Sequence, residues 1–536
     1  MYECLDRRAD ALFELTDALL TAEAFSSPVH LSLQASHRRG WGSLYAALEH
    51  GRIDADALRE VLTRNPLAGA EDEQPVYAVD VSVWPRCDAE SSPERGFYYH
   101  PSRHSSGQPI VAGWAYQFVA QLGFVRESWT APMDVARVHP AREANEVAAE
   151  QIKAFLSRSP EERKTAPMFV FDAGYDPVKL QQDLEGSSSL CQILVRLRAG
   201  RCFYGDPSLS EPPANIGRPR RHGPKMKCSD PSTWPEPDHE YACEDSGYAN
   251  VRVRAWSRLH PKVASHEGRG SRGPLPIVVG TLVLVQVARL PRGERRREPR
   301  ALWLWWAGGP KGIAPELELL WRAYVRRFDL EHTFRFLKQA FGWTSPRVRH
   351  PEQADRWTWL VLAAYTQLRL GRGCVLDLRL PWERRYEAGR LTPTRCADAV
   401  RRGVLGVLVE AGTPAKSRRN PAGGLLGGPR DASRVGPNAT RPSKRAPEPA
   451  KTANTRSFAM DIKLIAKLLV VKTQAQTSPQ KRYEHLQALR SLRREVGREH
   501  QHGAGLRALE GSSRRPLLSL LPGWVNARLR RIGGYG

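Results

Sequence analysis

Between Tyr324 and Lys338 the chain reads YVRRFDLEHTFRFLK. Tyr324, Arg327, Glu331 and Lys338 stand at offsets 0, 3, 7 and 14. On one continuous helix, turning about 100° per residue, these offsets fall within an arc of roughly 60°. A single stripe would then carry one carboxylate between two cations and a phenol, while Leu330, Phe334, Leu337 and Phe341 form an adjacent apolar stripe that can pack on a core. A metal-binding carboxylate flanked by phosphate-binding groups suits the cutting of a phosphodiester. The same spacing also suits a solvated helix face laced with i,i+4 ion pairs.

Two upstream segments supply further acids. VYAVDVS (76–82) and MFVFDAGYD (168–176) are short, apolar, β-rich runs that carry Asp80 and Asp172, so both acids are expected at or near strand ends. Divalent-cation chemistry on phosphodiesters favours hard oxygen ligands drawn from several carboxylates. Two metals about 4 Å apart can activate the attacking oxygen and stabilise the leaving one. Two strand-borne Asp residues and one helix-borne Glu make a minimal set for that work. Each Asp taken singly also reads as a turn or cap residue. Asp88, Asp134 and Asp176 are read as non-catalytic, with Asp176 the closest to a supporting role.

These residues resemble the DDE transposases of bacterial insertion sequences. The spacing Y-x2-R-x3-E-x6-K matches the signature of the IS4-type group, and the surrounding text is similar to one IS701-like group of actinobacterial transposases. That likeness runs through WTAPMDVARVHP, FDAGYD, DPSTWPEP, RAWSRLHPK, GPLPIVVGTL, RRFDLEHTFRFLKQAFGWTSPRVR and ADRWTWLVLAAYTQLRL, and covers roughly residues 2–395. It implies an α/β fold: an RNase H-like mixed-sheet catalytic core interrupted by a β-rich insertion, with a helical N-terminal region. The separation of 159 positions from Asp172 to Glu331 leaves room for the insertion. It further implies Mg²⁺-dependent cleavage at transposon ends, with Mn²⁺ as a substitute, followed by strand transfer into target DNA. Asp80, Asp172 and Glu331 would be the catalytic metal ligands of a two-metal site. Tyr324, Arg327 and Lys338 would hold phosphates, a guanidinium fork suiting phosphate oxygens and an ammonium acting as a point charge. Trp343, Arg347 and Arg349, in the loop after the catalytic helix, are further DNA-contact candidates. The implied partners are double-stranded DNA, both transposon ends and target, and a second copy of the chain in a synaptic homodimer.

Composition bounds the answer separately. At 536 residues the chain has room for two or three domains. No apolar run approaches the roughly 20 residues needed to span a membrane, and no signal peptide is apparent. A cytoplasmic, nucleoid-associated protein without a membrane partner is therefore expected. Eight cysteines lie scattered without a C-x-x-C pair, which indicates neither a zinc ribbon nor a redox motif. Cys228 and Cys243 with His222 and His239 fit no standard metal-ligand spacing. The net charge is +24, yet residues 396–536 hold 27 Lys and Arg against 9 Asp and Glu, and residues 1–395 hold 54 against 48. The tail thus carries most of the basicity, and a basic tail binds nucleic acid through counterion release or is simply a charged disordered segment. RPRRHGPKMK (218–227) and RGERRREPR (292–300) are local basic clusters that read as DNA-contacting or solvated loops.

Five regions follow: 1–70, a helical N-terminal region with a role at DNA ends; 71–200, the first part of the core; 201–312, the β-rich insertion; 313–395, the catalytic helix and remainder of the core; and 396–536, a basic, largely disordered low-complexity tail with possible short helices at IKLIAKLLVV and YEHLQALRSLRREVGRE. Strands are expected at 76–83, at 109–126 as a pair, and at 168–172, 191–197, 250–257, 276–289 and 301–306. Helices are expected over 143–157 and 355–370, and a long loop over 205–240. The tryptophans of ALWLWWAGG (301–309) read as core residues, with base stacking as the alternative. The likeness begins almost at Met1 and fades near Cys396, so a missing upstream portion and a frameshifted or fused ending are expected. A catalytically inactive remnant that only binds DNA is the alternative function.

Overall fold

The structure is a computed structural model that describes residues 1–22, 27–67, 74–99, 109–125, 128–158, 165–207, 221–262, 276–291, 299–310, 312–375, 382 and 390–410. The expected tail helices, residues 218–220 of the first basic cluster and residues 292–298 of the second lie outside these. The chain divides into two compact units. One comprises Met1–Arg369 with Trp382–Cys396, the other Leu370–Pro381 with Ala397–Gly536.

Among the described residues, the strands are β1 (Leu5–Arg7), β2 (Arg52–Ile53), β3 (Val76–Pro85), β4 (Gly96–Tyr99), β5 (Ile110–Leu122), β6 (Ala131–Val138), β7 (Met168–Phe171), β8 (Gln192–Leu197), β9 (Cys202–Tyr204), β10 (Lys225–Lys227), β11 (His239–Asp245), β12 (Ala249–Leu259), β13 (Gly280–Val287) and β14 (Leu302–Gly308). The helices are α1 (Ala9–Thr21), α2 (Pro28–Leu31), α3 (Trp41–His50), α4 (Ala55–Thr63), α5 (Ala144–Ser157), α6 (Pro177–Asp183), α7 (Leu317–Arg326), α8 (Phe328–Ala340), α9 (Pro351–Gly371) and α10 (Pro393–Glu410). In the second unit the described residues are the end of α9, a 3-10 turn at Arg372–Cys374, and α10 from Ala397 onward.

The first unit is built on one ten-stranded mixed sheet in the order β11-β12-β13-β14-β8-β7-β3-β5-β4, with β6 also paired to β5. β3 is central, antiparallel to β5 and parallel to β7, which is in turn parallel to β8. All four residues of β7, Met-Phe-Val-Phe, are buried, as a parallel strand covered on both faces requires. The stretch expected to hold two strands over 109–126 is a single 13-residue strand, β5. Its continuous apolar text is long because β4 pairs with its first part and β6 with its second. The loop expected at 205–240 is shorter, since it contains β10, a 3-10 turn at Pro231–Thr233 and the start of β11. The strands of the expected insertion do not form a sheet apart. β14 pairs antiparallel with β8, so β11 to β14 extend the central sheet.

Register assigns the two faces. Val76, Ala78, Asp80, Ser82 and Trp84 alternate onto one face of β3 and stand opposite Leu122, Ala120, Phe118, Tyr116 and Trp114 of β5. On this face α8 and the turn after it dock through aromatics. Phe118 meets Phe334 at 4.9 Å and Trp343 at 5.1 Å, and Trp84 meets Trp343 at 6.2 Å. The buried Trp343 Nε1–H donates to Thr358 of α9 at 2.9 Å. α5 covers the other face, with Phe155 4.8 Å from Tyr77. The N-terminal region is helical as expected, apart from the short β1–β2 pair. Asp54 caps α4 by accepting from the Ala57 N–H at 3.0 Å. Arg59 on α4 ties this region to β6 through Asp134 at 2.5 Å.

Trp343 therefore locks the helix bearing Glu331 to the strand bearing Asp80. Trp343→Ala should cost about 3–5 kcal/mol of stability, the range for deleting a buried aromatic, measured by urea denaturation. A loss below about 1 kcal/mol would contradict this packing role.

Candidate active site

β3 and β7 bring the two aspartates together. Ala78 stands opposite Val170 in their parallel register, and two residues further along each chain come Asp80 and Asp172. Asp172 directly follows β7, and its Oδ1 accepts from the Gly174 N–H at 2.8 Å. A Cβ on Gly174 would lie 3.0 Å from that oxygen, so the small residue lets the turn close tightly on the carboxylate. Asp80 Oδ1 accepts from the Val81 N–H at 2.8 Å.

Arg327 joins these acids to Glu331. Its Nη1 donates to Asp80 Oδ2 at 2.7 Å, and its Nη2 reaches Glu331 Oε1 at 3.5 Å. Its side chain is 9% exposed, that of Asp80 16%, and that of Glu331 46%. Burial pushes the Asp80 carboxyl up to about 6; the Arg327 guanidinium opposes that rise, and the neighbouring Asp172 and Glu331 charges add to it. Arg327 is itself held above its ordinary range. Its burial acts the other way but is outweighed by Asp80, with Tyr324, Asp172 and Glu331 adding to the rise. The three acids thus share one electrostatic neighbourhood with a buried cation in it.

The expected single stripe is modified. Tyr324 ends in α7 and Glu331 lies in α8, and the two helices meet at Arg327, where the Leu330 N–H bonds back to the Arg327 carbonyl at 3.1 Å. This tighter, i+3 bonding interrupts the regular helix, so offsets counted on one ideal cylinder do not hold across it. Tyr324 stays close, its ring 5.9 Å from the Arg327 guanidinium carbon. Lys338 is a turn and more away, with its Nζ 5.6 Å over the Trp343 ring, and burial lowers its pKa. Arg347 and Arg349 are exposed, as a DNA contact requires. Trp343 is not: it is fully buried in the aromatic cluster, where no base can stack on it without unpacking α8. Trp303, Trp305 and Trp306 are likewise buried in β14.

The other acids have structural partners. Asp134 bonds Arg59 and Gln151, and Asp176 caps α6 by accepting from Val178 and Lys179 N–H groups. Asp88 pairs with Arg86 at 3.1 Å. Sequence reading passed over Tyr175, which is buried near Asp80 and Asp172. Burial and both those charges hold its phenol well above its ordinary pKa, and its hydroxyl lies 3.1 Å from the Gln117 amide. The one available signal was an aromatic just after the Asp-Ala-Gly turn.

The donor set, three carboxylates of which one is buried and resists ionisation, fits a hard divalent cation that would neutralise it. The spacing does not yet close around one. Among the described residues no three His, Cys, Asp or Glu side chains are grouped tightly enough to hold a metal ion. The suggested set of Cys228, Cys243, His222 and His239 is not gathered either, although His222 and His260 lie 2.8 Å apart.

Residues 1–262 match the family model described as DDE superfamily endonuclease. That span includes Asp80 and Asp172 and stops before Glu331. No curated protein matches the chain. Among solved structures the chain is similar to the piggyBac transposase in its synaptic complex with hairpin DNA, determined by cryo-electron microscopy. The identity is 11%, the match covers 67% of this chain and 65% of that one, and the TM-score is 0.32. A likeness that slight bears on neither fold nor function. No helix among the described residues is long and apolar enough to cross a membrane. The family match supports a DDE transposase.

The raised pKa of Asp80 has a stability consequence. Between its usual 3.8 and about 6 the folded chain binds more protons than the unfolded one, so stability falls as pH rises through that window. Asp80→Asn removes the buried charge and should therefore stabilise the metal-free protein by about 1–3 kcal/mol at pH above 7, with the difference vanishing below pH about 4. Added divalent cation should narrow the gap by stabilising only the parent. Urea denaturation at the two pH values checks this, and a variant less stable than the parent at high pH would contradict it.

Proposed function

We propose that the protein is a DNA transposase of the IS4-type, IS701-like kind, which cleaves transposon ends in a metal-dependent reaction and joins the freed 3′ end to target DNA. Asp80, Asp172 and Glu331 are its acids. The observation that carries this reading is the convergence of all three around Arg327, although two come from adjacent parallel strands and the third from a helix 159 positions later. A central strand flanked by antiparallel partners on one side and parallel ones on the other supports the RNase H-like core. β11 to β14 are then an insertion that lengthens its sheet.

In this mechanism the carboxylates of Asp80 and Asp172 are presented on one sheet face, and Glu331 approaches from α8 across it. A divalent cation held there, Mg²⁺ or Mn²⁺, would polarise the phosphoryl group and activate the attacking oxygen. Arg327 keeps the buried Asp80 charge compensated. Were the acids to hold a cation, its fork would suit a phosphate oxygen, beside the Tyr324 phenol. Lys338, Arg347 and Arg349 extend the cationic surface along the DNA, and Trp343 holds α8 in place. Synapsis of two ends implies a second copy of the chain.

One observation favours the alternative, a copy that binds DNA without cutting it: Arg327 now occupies the space among the acids. Both readings are separated by incubating a labelled duplex that carries the element's own end with the protein and Mg²⁺. The proposal expects boundary cleavage, reduced about 10²- to 10³-fold or more in Glu331→Ala, the several kcal/mol that metal catalysis supplies. Binding without cleavage would leave the binding-only reading.

A further inference from the structure

Among the described residues, three strands border the ten-stranded sheet: β11 on one side, β4 and β6 on the other. A bordering strand offers unpaired N–H and C=O groups to any other strand, and proteins blunt such edges with charge, proline, bulges or a covering helix. β11 carries His239, Glu240, Glu244 and Asp245. β6 carries Pro132, its pairing with β5 shifts register between Val119 and Ala120, and α4 is tied to it through Arg59 and Asp134. The residues of β4, Gly-Phe-Tyr-Tyr, include no charge and no proline, and its ladder with β5 is regular.

Register decides which groups β4 presents. Just past β3, the Arg86 N–H donates to the Ala112 carbonyl at 2.7 Å, so Ala112 of β5 bonds toward β3. In an antiparallel ladder the two neighbours of such a residue bond to the other side. Val111 and Gly113 therefore bond toward β4, where they stand opposite Tyr98 and Gly96. The backbone groups of Phe97 and Tyr99 then point away from the sheet. Their side chains stand beside Ala112 and Ile110, on the face of Asp80, because Trp114 of the same strand lies opposite Trp84. Phe97 is 81% exposed, Tyr99 71% and Ile110 58%. Open backbone and exposed apolar side chains thus coincide on one short strand.

We infer that β4 pairs antiparallel with β4 of a second copy of the chain, about a twofold axis at Tyr98. Phe97 and Tyr99 flank Tyr98 symmetrically, so each Phe97 meets Tyr99 of the other copy and every outward backbone group of the two residues is bonded. A shift of one residue would set outward groups against inward ones. Aromatic pairs facing each other across strands add to the backbone bonds. The axis runs perpendicular to the sheet, so the acid-bearing faces of both copies lie on the same side of one continuous sheet. Two aromatic side chains from each copy, at roughly 150 Å² apiece, make an interface at the low end of specific contacts, hence a weak, reversible dimer. The choice of a second copy over another extended chain rests on this self-match and on the reading that two DNA ends are brought together.

Sedimentation velocity of the full-length protein over a range of concentrations tests the pairing, with circular dichroism to confirm the fold of each variant. The parent should show a reversible monomer–dimer equilibrium, alone or with the element's end duplex, and Phe97→Lys/Tyr99→Lys should weaken it about tenfold or more. The register has its own test. Facing Cα atoms of a non-bonded antiparallel pair lie about 4.5 Å apart, so Tyr98→Cys, on the axis, should give a disulfide-linked dimer under mild oxidation. Phe97→Cys, offset by two residues from its counterpart, lies beyond the roughly 7 Å that a disulfide spans. The parent, which keeps the exposed Cys87, supplies the background. A parent that stays monomeric throughout, a dimer indifferent to the Lys pair, or equal cross-linking at positions 97 and 98 overturns the inference. A protein that pairs through β4 yet neither binds nor cuts DNA overturns the functional reading and leaves the pairing in place.

Discussion

The organisation of the site depends on how one buried cation is shared. Asp80 lies in the middle of a strand beneath α8, where desolvation opposes its ionisation, and Asp172 and Glu331 add like charge. Arg327 holds this arrangement together in the folded chain. It is buried, bonded to Asp80 and within reach of Glu331. Removing the cation would leave the Asp80, Asp172 and Glu331 charges repelling one another with nothing to compensate them. The junction of α7 and α8 falls at this residue, so the helix break and the charge compensation are one structural feature.

The sheet sets what that cluster can reach. Parallel pairing of β3, β7 and β8 places Asp80, Asp172 and Arg196 in neighbouring positions on one face, acid beside acid beside cation. Because β14 continues the sheet beyond β8, β11 to β14 are bonded strand to strand with the site-bearing half. The aromatic layer of Trp84, Phe118, Phe334 and Trp343 fixes the height of α8 above this surface. Behind the sheet, Tyr175, Gln117, Gln151, Asp134 and Arg59 form a buried polar chain from the loop after Asp172 to α4. Such a chain ties the N-terminal helices to the acid-bearing loop.

Much of this was legible in the residues. The β-rich text before Asp80 and Asp172, the helices at 143–157 and 355–370 and the strands at 250–257, 276–289 and 301–306 were read close to their observed bounds, because each has a clear apolar period, whereas β10 was read as loop and β11 was not read as a strand. The single strand β5 was misread as two because a run buried along its whole length carries no alternation to mark its ends. The stripe from Tyr324 to Lys338 was read on an ideal helix, and no residue type announces the tighter turn at Arg327, where neither Gly nor Pro stands. Trp343 was taken for a surface contact because a loop tryptophan beside arginines looks exposed until Trp84 and Phe118 are seen beneath it. Arg196 was invisible as a neighbour of Asp172, since that proximity arises from strand pairing and not from spacing in the chain.

The most direct test of the central claim is where a divalent cation settles. Crystals of the protein soaked in Mn²⁺ and measured at the manganese edge should give anomalous density between Asp80 and Asp172, with the Arg327 guanidinium moved off Asp80. Manganese bound only elsewhere, with the Arg327–Asp80 bond intact at saturating ion, would contradict the account.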